Sequence, residues 1–168
     1  MKSIFIALRA LTYASLFIGL ILVLVPARLI SGSGIVPPAT LGPAQVGGMV
    51  IGACGAALAA WCLATFIRVG RGTPAPFDPP RRLVTTGPYR FVRNPMYAGA
   101  TLALAGAALF YRSSALAFYA AIFVLIAHIF VVTYEEPTLG RTFGDEYAAY
   151  RARAGRWWLR TRRARGGR

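Results

Sequence analysis

Apolar residues fall into four runs, at 4–25, 46–67, 96–110 and 115–134, separated by polar, glycine-rich or proline-rich breaks. A membrane-crossing helix needs about 20 mostly apolar residues, and three of the runs have that length. The run at 96–110 is shorter. Pro95 suits a first helical position, and Tyr111, Arg112, Ser113 and Ser114 supply a break, so the pattern predicts a tight helical hairpin with 115–134. The first run exceeds the core of a signal peptide, and Pro26-Ala27-Arg28 makes a poor cleavage site, so it reads as a retained helix.

The breaks have their own character. Residues 31–43 are rich in Gly and Pro and nearly uncharged, as in a short external connector. Four prolines at 74–80 forbid a regular helix and favour an extended path, and Thr86-Gly87-Pro88 marks a turn. Gly48 and Gly52 form a small-xxx-small face on the second run, which lets a neighbouring helix approach closely. Beyond 134, Glu135-Glu136-Pro137 opens a segment in which Leu139, Phe143, Tyr147 and Tyr150 recur at helical spacing, the pattern of an amphipathic helix. The expected fold is an all-α integral membrane bundle of about four transmembrane helices with a C-terminal amphipathic helix. It forms one membrane domain: two helices in 1–67, a loop, hairpin and amphipathic helix in 68–158, and a basic tail in 159–168.

Composition agrees, with 57% hydrophobic and 14% charged residues. The net charge of +14 would suggest nucleic acid if it were spread over a soluble surface. Its distribution argues otherwise. With a cytoplasmic N-terminus, Arg68, Arg71, Arg81, Arg82, Arg90, Arg93 and every arginine from Arg141 onward share the cytoplasmic side, leaving Arg28 and Arg112 outside. This is the positive-inside asymmetry, and it puts both termini in the cytoplasm. Nucleic acid is therefore not an expected partner, and the tail suits anionic lipid head groups at about 1 kcal/mol per basic residue. Cys54 and Cys62 would lie about 12 Å apart along one helix, too far for a disulfide, and read as packing residues. Nothing in the sequence sets an oligomeric state.

Two clusters exceed what interfacial anchoring explains. In Tyr89-Arg90-Phe91-Val92-Arg93-Asn94-Pro95-Met96-Tyr97, Asn94 suits a helix N-cap. The helix N-terminus with Arg90 and Arg93 alongside would seat a carboxylate or phosphate. The second cluster is Glu135-Glu136. His128 lies two turns before Glu135, and that face is expected to line the bundle interior. Cations, a helix N-terminus and carboxylates at one membrane surface suit a zwitterionic cofactor.

These residues resemble the isoprenylcysteine carboxyl methyltransferase and phospholipid methyltransferase family, marked by Arg-His-Pro-x-Tyr-x-Gly and Glu-Glu-x-x-Leu-x-x-x-Phe-Gly-x-x-Tyr-x-x-Tyr. This chain has Arg93-Asn94-Pro95-Met96-Tyr97-Ala98-Gly99 and a complete second pattern through Glu135, Glu136, Leu139, Phe143, Gly144, Tyr147 and Tyr150. The resemblance implies an enzyme, in a bacterial inner membrane, that uses S-adenosylmethionine to methylate a lipid-like or other apolar acceptor. It implies a cofactor pocket of Arg81, Arg82, Leu83, Val84, Tyr89, Asn94, Pro95, Met96, Tyr97, Glu135 and Glu136. Arg93, Asn94 and Glu135 would lie nearest the chemistry, and His128 and Val131 toward the acceptor. The methyl group is already activated, so alignment and exclusion of water suffice, with no metal.

Two positions depart from the pattern. Asn94 replaces the usual histidine and has no proton to exchange near neutral pH. Val131 stands where the prenylcysteine enzymes carry an arginine, so a prenylcysteine acceptor does not carry over. Two other classes compete. An NADPH-dependent membrane reductase of the sterol reductase type has a similar Asn-Pro-x-Tyr-like element, and a non-catalytic membrane subunit would keep the fold without the cofactor.

Overall fold

The computed structural model describes residues 12, 15–16, 18–36, 38–70 and 82–159. The expectations for the proline-rich stretch at 74–80, for Arg81 and for the tail at 160–168 lie outside the described residues. Within them the named elements are all helical, and one isolated bridge pairs Val92 with Gly155.

Helix α1 comprises a π-helical part, Ile18–Leu24, and an α-helical part, Val25–Gly32. It continues past the expected end at 25, carrying Pro26 within it just after the π-helical part. Helix α2, Pro43–Thr65, ends in a π-helical turn, Phe66–Gly70. A short 3-10 turn, Gly87–Arg90, precedes α3, Pro95–Phe110. Helix α4, Ser114–Phe130, widens into a π turn, Val131–Glu135, and leads into α5, Glu136–Arg153.

The hairpin between α3 and α4 forms as expected. Arg112 adopts φ 48°, and the Ser113 side chain accepts a 3.2 Å hydrogen bond from the Leu116 N–H, capping α4. At the same end of the bundle, Gln45 Oε1 accepts from the Gly42 N–H at 3.1 Å while its Nε2 donates to the Phe110 carbonyl at 3.2 Å. One side chain thus serves the start of α2 and the end of α3, both of which have backbone groups without intrahelical partners.

Among the described residues, two helical stretches are long and apolar enough to cross a membrane, Pro43–Val69 and the continuous Ser114–Arg153. The charge-free part of the second is 114–134, so Glu135 and everything after it lie beyond that apolar run. Gly19–Gly32 and Pro95–Phe110 are shorter apolar helices.

Helices α2 and α3 pack antiparallel with their backbones in contact. A Cβ on Gly48 would lie 2.6 Å from the Gly106 carbonyl oxygen, and one on Gly55 would lie 2.6 Å from that of Gly99. From the other side, a Cβ on Gly106 would lie 2.5 Å from the Gly52 nitrogen. The close face is therefore built on Gly48 and Gly55, two turns apart, meeting Gly99 and Gly106, also two turns apart. Gly52 contributes its backbone rather than the space of its missing side chain.

The other side of α3 packs on α4 through Ala100, Leu104, Ala120 and Phe123, with Ile21 and Leu22 of α1 against them. The Tyr119 hydroxyl donates to the Ile21 carbonyl at 2.9 Å, filling an acceptor beside the π-helical part of α1. Phe118, Leu125, Ile126 and Ile129 of α4 point outward, as side chains in lipid would.

Helix α5 bends at Gly144, whose φ of 49° and ψ of −122° are outside the helical region and costly for any residue with a Cβ. The bend lets Leu139 and Phe143 from one side and Tyr147 and Tyr150 from the other join Leu83 and Ala154 in one cluster.

Candidate functional site

After α5 the chain turns back across the start of α3. The Arg93 N–H donates to the Gly155 carbonyl at 2.8 Å, beside the Val92–Gly155 bridge. Asn94 Nδ2 donates to the Arg156 carbonyl at 3.2 Å. Asn94 occupies the N-cap position of α3, but its side chain makes no cap hydrogen bond. The expected cap is thus corrected: at φ −124° and ψ 50° the side chain serves the returning strand instead of its own helix.

That strand delivers Arg156 to Glu136. Arg156 Nε and Nη2 donate to the two carboxylate oxygens, each at 2.8 Å, and Arg93 Nη2 lies 2.8 Å from Glu136 Oε1. The Arg93 and Glu136 side chains are 10% and 9% exposed, and Arg93 Nε is buried with no hydrogen-bond partner. Burial alone would raise the Glu136 carboxyl, but the Arg156 hydrogen bonds and the charges of Arg93 and Arg156 outweigh it and hold it below its usual value. The same bonds raise Arg156 further.

Glu135 turns elsewhere, accepting from the Tyr97 hydroxyl at 3.2 Å on Oε2. Adjacent helical residues point about 100° apart, and these two carboxylates take separate partners. The π turn puts an extra residue into the last turn of α4 and shifts the register of everything after it. The same shift undoes the expected alignment of Glu135 with His128.

His128 is exposed, not interior, and the interior face of α4 is formed by Phe123, Ala127 and Val131. Its Nδ1 accepts from Trp157 Nε1 at 3.0 Å. The Trp157 ring lies 6.1 Å from the His128 ring and 6.4 Å, edge-on, from that of Tyr97. Val131 is fully buried.

The remaining expected residues are spread around this centre. Leu83 belongs to the α5 cluster, and Val84 and Tyr89 pack with Cys62, Met96 beside them. Tyr150 donates to the Tyr89 carbonyl at 2.7 Å. Burial, and then the neighbouring Cys62, push the Tyr89 hydroxyl well above its usual value, so it stays protonated. Pro95 is buried at the first turn of α3. Arg82 is exposed, and Arg90 lies over the Phe91 ring at 4.3 Å, away from the carboxylates. Arg93, Asn94, Tyr97, Glu135 and Glu136 thus come together through two bridging residues that the sequence reading did not single out, Arg156 and Trp157. Their sequence signal is faint: two adjacent tryptophans after a Gly-Arg step, just past the second motif.

Beside this cluster is a groove of about 720 Å³, lined among others by Arg93, Arg151, Arg156, Trp157 and Trp158. Of the expected site residues among those described, Arg93 alone reaches it.

The family model for phospholipid methyltransferase matches residues 43–146, more than half of the chain, and the protein belongs to that family. The matched segment contains the whole first motif and the second as far as Glu146, and it ends before Arg156 and Trp157. No curated protein and no solved structure matches the chain significantly. The family match lends no support to a reductase.

Proposed function

We propose that the chain transfers the methyl group of S-adenosylmethionine to a lipid-like or otherwise apolar acceptor at the cytoplasmic face of a bacterial inner membrane. The observation that carries this reading is the junction of the two motifs, Tyr97 to Glu135 at 3.2 Å and Arg93 to Glu136 at 2.8 Å. In the reading, α1 to α4 span the bilayer with both termini cytoplasmic, as the arginine asymmetry requires. Residues 68–158 carry the cofactor site, α5 is an amphipathic cover over it, and 159–168 is a basic tail.

The residues fit a zwitterion. Arg93 has an N–H without an acceptor, suited to a carboxylate once the side chain shifts. Glu135 offers a carboxylate held by one hydroxyl, suited to an ammonium or sulfonium, and the Tyr97 ring that holds it has the Trp157 ring 6.4 Å away. When bound, the cofactor supplies an already activated methyl group. Tyr97 orients Glu135, Arg156 and Arg93 fix Glu136, and Asn94 holds the returning strand that excludes water from the pair. Arg82, Leu83, Val84, Tyr89, Pro95 and Met96 form the wall behind these groups, in line with the family pattern. His128, exposed beside Trp157, faces the acceptor path, and Val131, fully buried, packs behind it.

The test is calorimetric titration of the detergent-purified protein with S-adenosylhomocysteine, with NADPH as a parallel ligand. Saturable binding of S-adenosylhomocysteine alone is expected. Tyr97→Phe should weaken it about tenfold, the contribution of one hydrogen bond to a charged group, and Glu135→Gln should weaken it further. NADPH binding would instead identify a reductase, and silence with both ligands a non-catalytic subunit.

A further inference from the structure

We propose that Trp157 is a gate on the seam between α3 and α4: its hydrogen bond to His128 is a catch that holds the segment after Arg156 closed over Tyr97, and release of the catch opens the way to the Tyr97–Glu135 pair. Tyr97 and His128 stand at about the same distance from the α3–α4 hairpin, one on each helix. Trp157 spans them, its ring 6.4 Å and edge-on from that of Tyr97 and 6.1 Å from that of His128. Beyond the Tyr97 ring is the carboxylate that its hydroxyl holds, Glu135.

The fastenings on the two sides of Trp157 are unequal. Before it, the Gly155 and Arg156 carbonyls are pinned to the start of α3, by the Arg93 N–H at 2.8 Å and by Asn94 at 3.2 Å, and the Arg156 side chain holds both oxygens of Glu136. After it, Trp158 and Leu159 are 84% and 69% exposed. An indole has one donor and no acceptor, and that of Trp157 goes to His128 Nδ1 at 3.0 Å. The segment is therefore hinged at Arg156 and fastened beyond it by a single side-chain hydrogen bond. One such bond shifts an equilibrium by about tenfold or less, enough to bias the seam closed and little enough to let it open. His128 is the one polar residue in 120–132, and it is exposed. A ring nitrogen on an apolar helix face is costly unless paired, so its presence there is explained by the group it catches. The gate rests on the methyl-transfer reading only for the identity of what passes it.

The catch is tested on the full-length protein in detergent, with isotope-labelled tryptophan, by nuclear magnetic resonance of the indole N–H groups, assigned through Trp61→Phe and Trp158→Phe. The Trp157 indole proton should exchange with water about fivefold or more slower than that of Trp158. His128→Phe keeps a ring and removes the acceptor, and should bring the two rates together. His128→Asn, whose carbonyl oxygen stands near the place of Nδ1, should restore the difference. The opening is read without any cofactor, as the rate at which a water-soluble methanethiosulfonate labels Tyr97→Cys in a Cys54→Ala background, the remaining Cys62 being fully buried. Labelling should speed up about fivefold with His128→Phe and slow again with His128→Asn. Equal exchange at Trp157 and Trp158 with His128 in place, or labelling indifferent to His128→Phe, would overturn the gate. Neither readout contains S-adenosylhomocysteine, so its failure to bind in calorimetry would count against the methyl-transfer reading alone.

Discussion

Replacing Glu136 with glutamine leaves the volume almost unchanged and removes the charge on which two hydrogen bonds from Arg156 and an ion pair with Arg93, each at 2.8 Å, converge. The two arginines differ in what they do next. Arg156 is 32% exposed and turns toward water at modest cost. Arg93 is 10% exposed, its Nε already lacks a partner, and without the carboxylate its guanidinium becomes a nearly buried, unpaired cation. Removing one member of a buried pair costs about 3–5 kcal/mol, and the freedom of Arg156 puts Glu136→Gln at the lower end, about 3 kcal/mol. For a chain of this size that corresponds to a fall in melting temperature of about 6–12 °C. The assay is thermal unfolding in one fixed detergent, followed by circular dichroism, with Arg156→Gln as control. Arg156→Gln should cost less, because it leaves the Arg93–Glu136 pair intact. A Glu136→Gln protein melting within 2 °C of wild type would refute the view that this carboxylate ties α3, α5 and the returning strand together.

Other perturbations probe other parts of the structure. Gly106→Ala puts a Cβ 2.5 Å from the Gly52 nitrogen, and because backbone is what it meets, the helices must separate; a loss of about 1–3 kcal/mol is expected by the same melting assay, whereas Gly19→Ala, with open space around it, should be near neutral. Asn94→Ala should cost about 1 kcal/mol through the lost bond to the Arg156 carbonyl, while Asn94→His, able to donate from its ring, should retain most of the melting temperature. Glu136 is held below its ordinary value of 4.5 when folded, so its contribution is complete above that value and is lost as pH falls through the folded one; the melting temperature should hold from pH 8 to about 5 and drop in more acid buffer, and Glu136→Gln should flatten the acid limb.

The helices were legible because hydrophobic runs and their breaks are local. Proline at 95 and serine at 113 mark the starts of the two hairpin helices in the sequence as they do in the structure. The two motifs were legible as neighbours, since Tyr97 meets Glu135, Arg93 meets Glu136, and Asn94 meets the segment that carries Arg156. Three things were not. The widening of α4 at Val131–Glu135 depends on tertiary packing, and helical spacing counted at 3.6 residues per turn wrongly put His128 and Glu135 on one interior face. The turn of Asn94 away from its own helix depends on a carbonyl 62 residues later in the chain. Arg156 and Trp157 gain their meaning from the return of the chain after α5, and nothing local distinguishes that arginine from its many neighbours. The glycine face failed in a smaller way: Gly48 and Gly52 share a stripe, but which pair is opposed depends on the register with Gly99 and Gly106.

That register makes the α2–α3 contact a gauge of fixed width. Where side chains interlock, a larger residue on one helix is offset by a smaller one opposite, and the spacing drifts with sequence. Here the spacers are glycine hydrogens and main-chain atoms, which cannot be trimmed. The separation of the helix axes is therefore set in the apolar middle of the bundle, and the packed cluster of Cys62, Val84 and Tyr89 between the end of α2 and the start of α3 inherits it. The placement of the Asn94-Pro95 turn is thus calibrated by positions that carry no chemistry of their own.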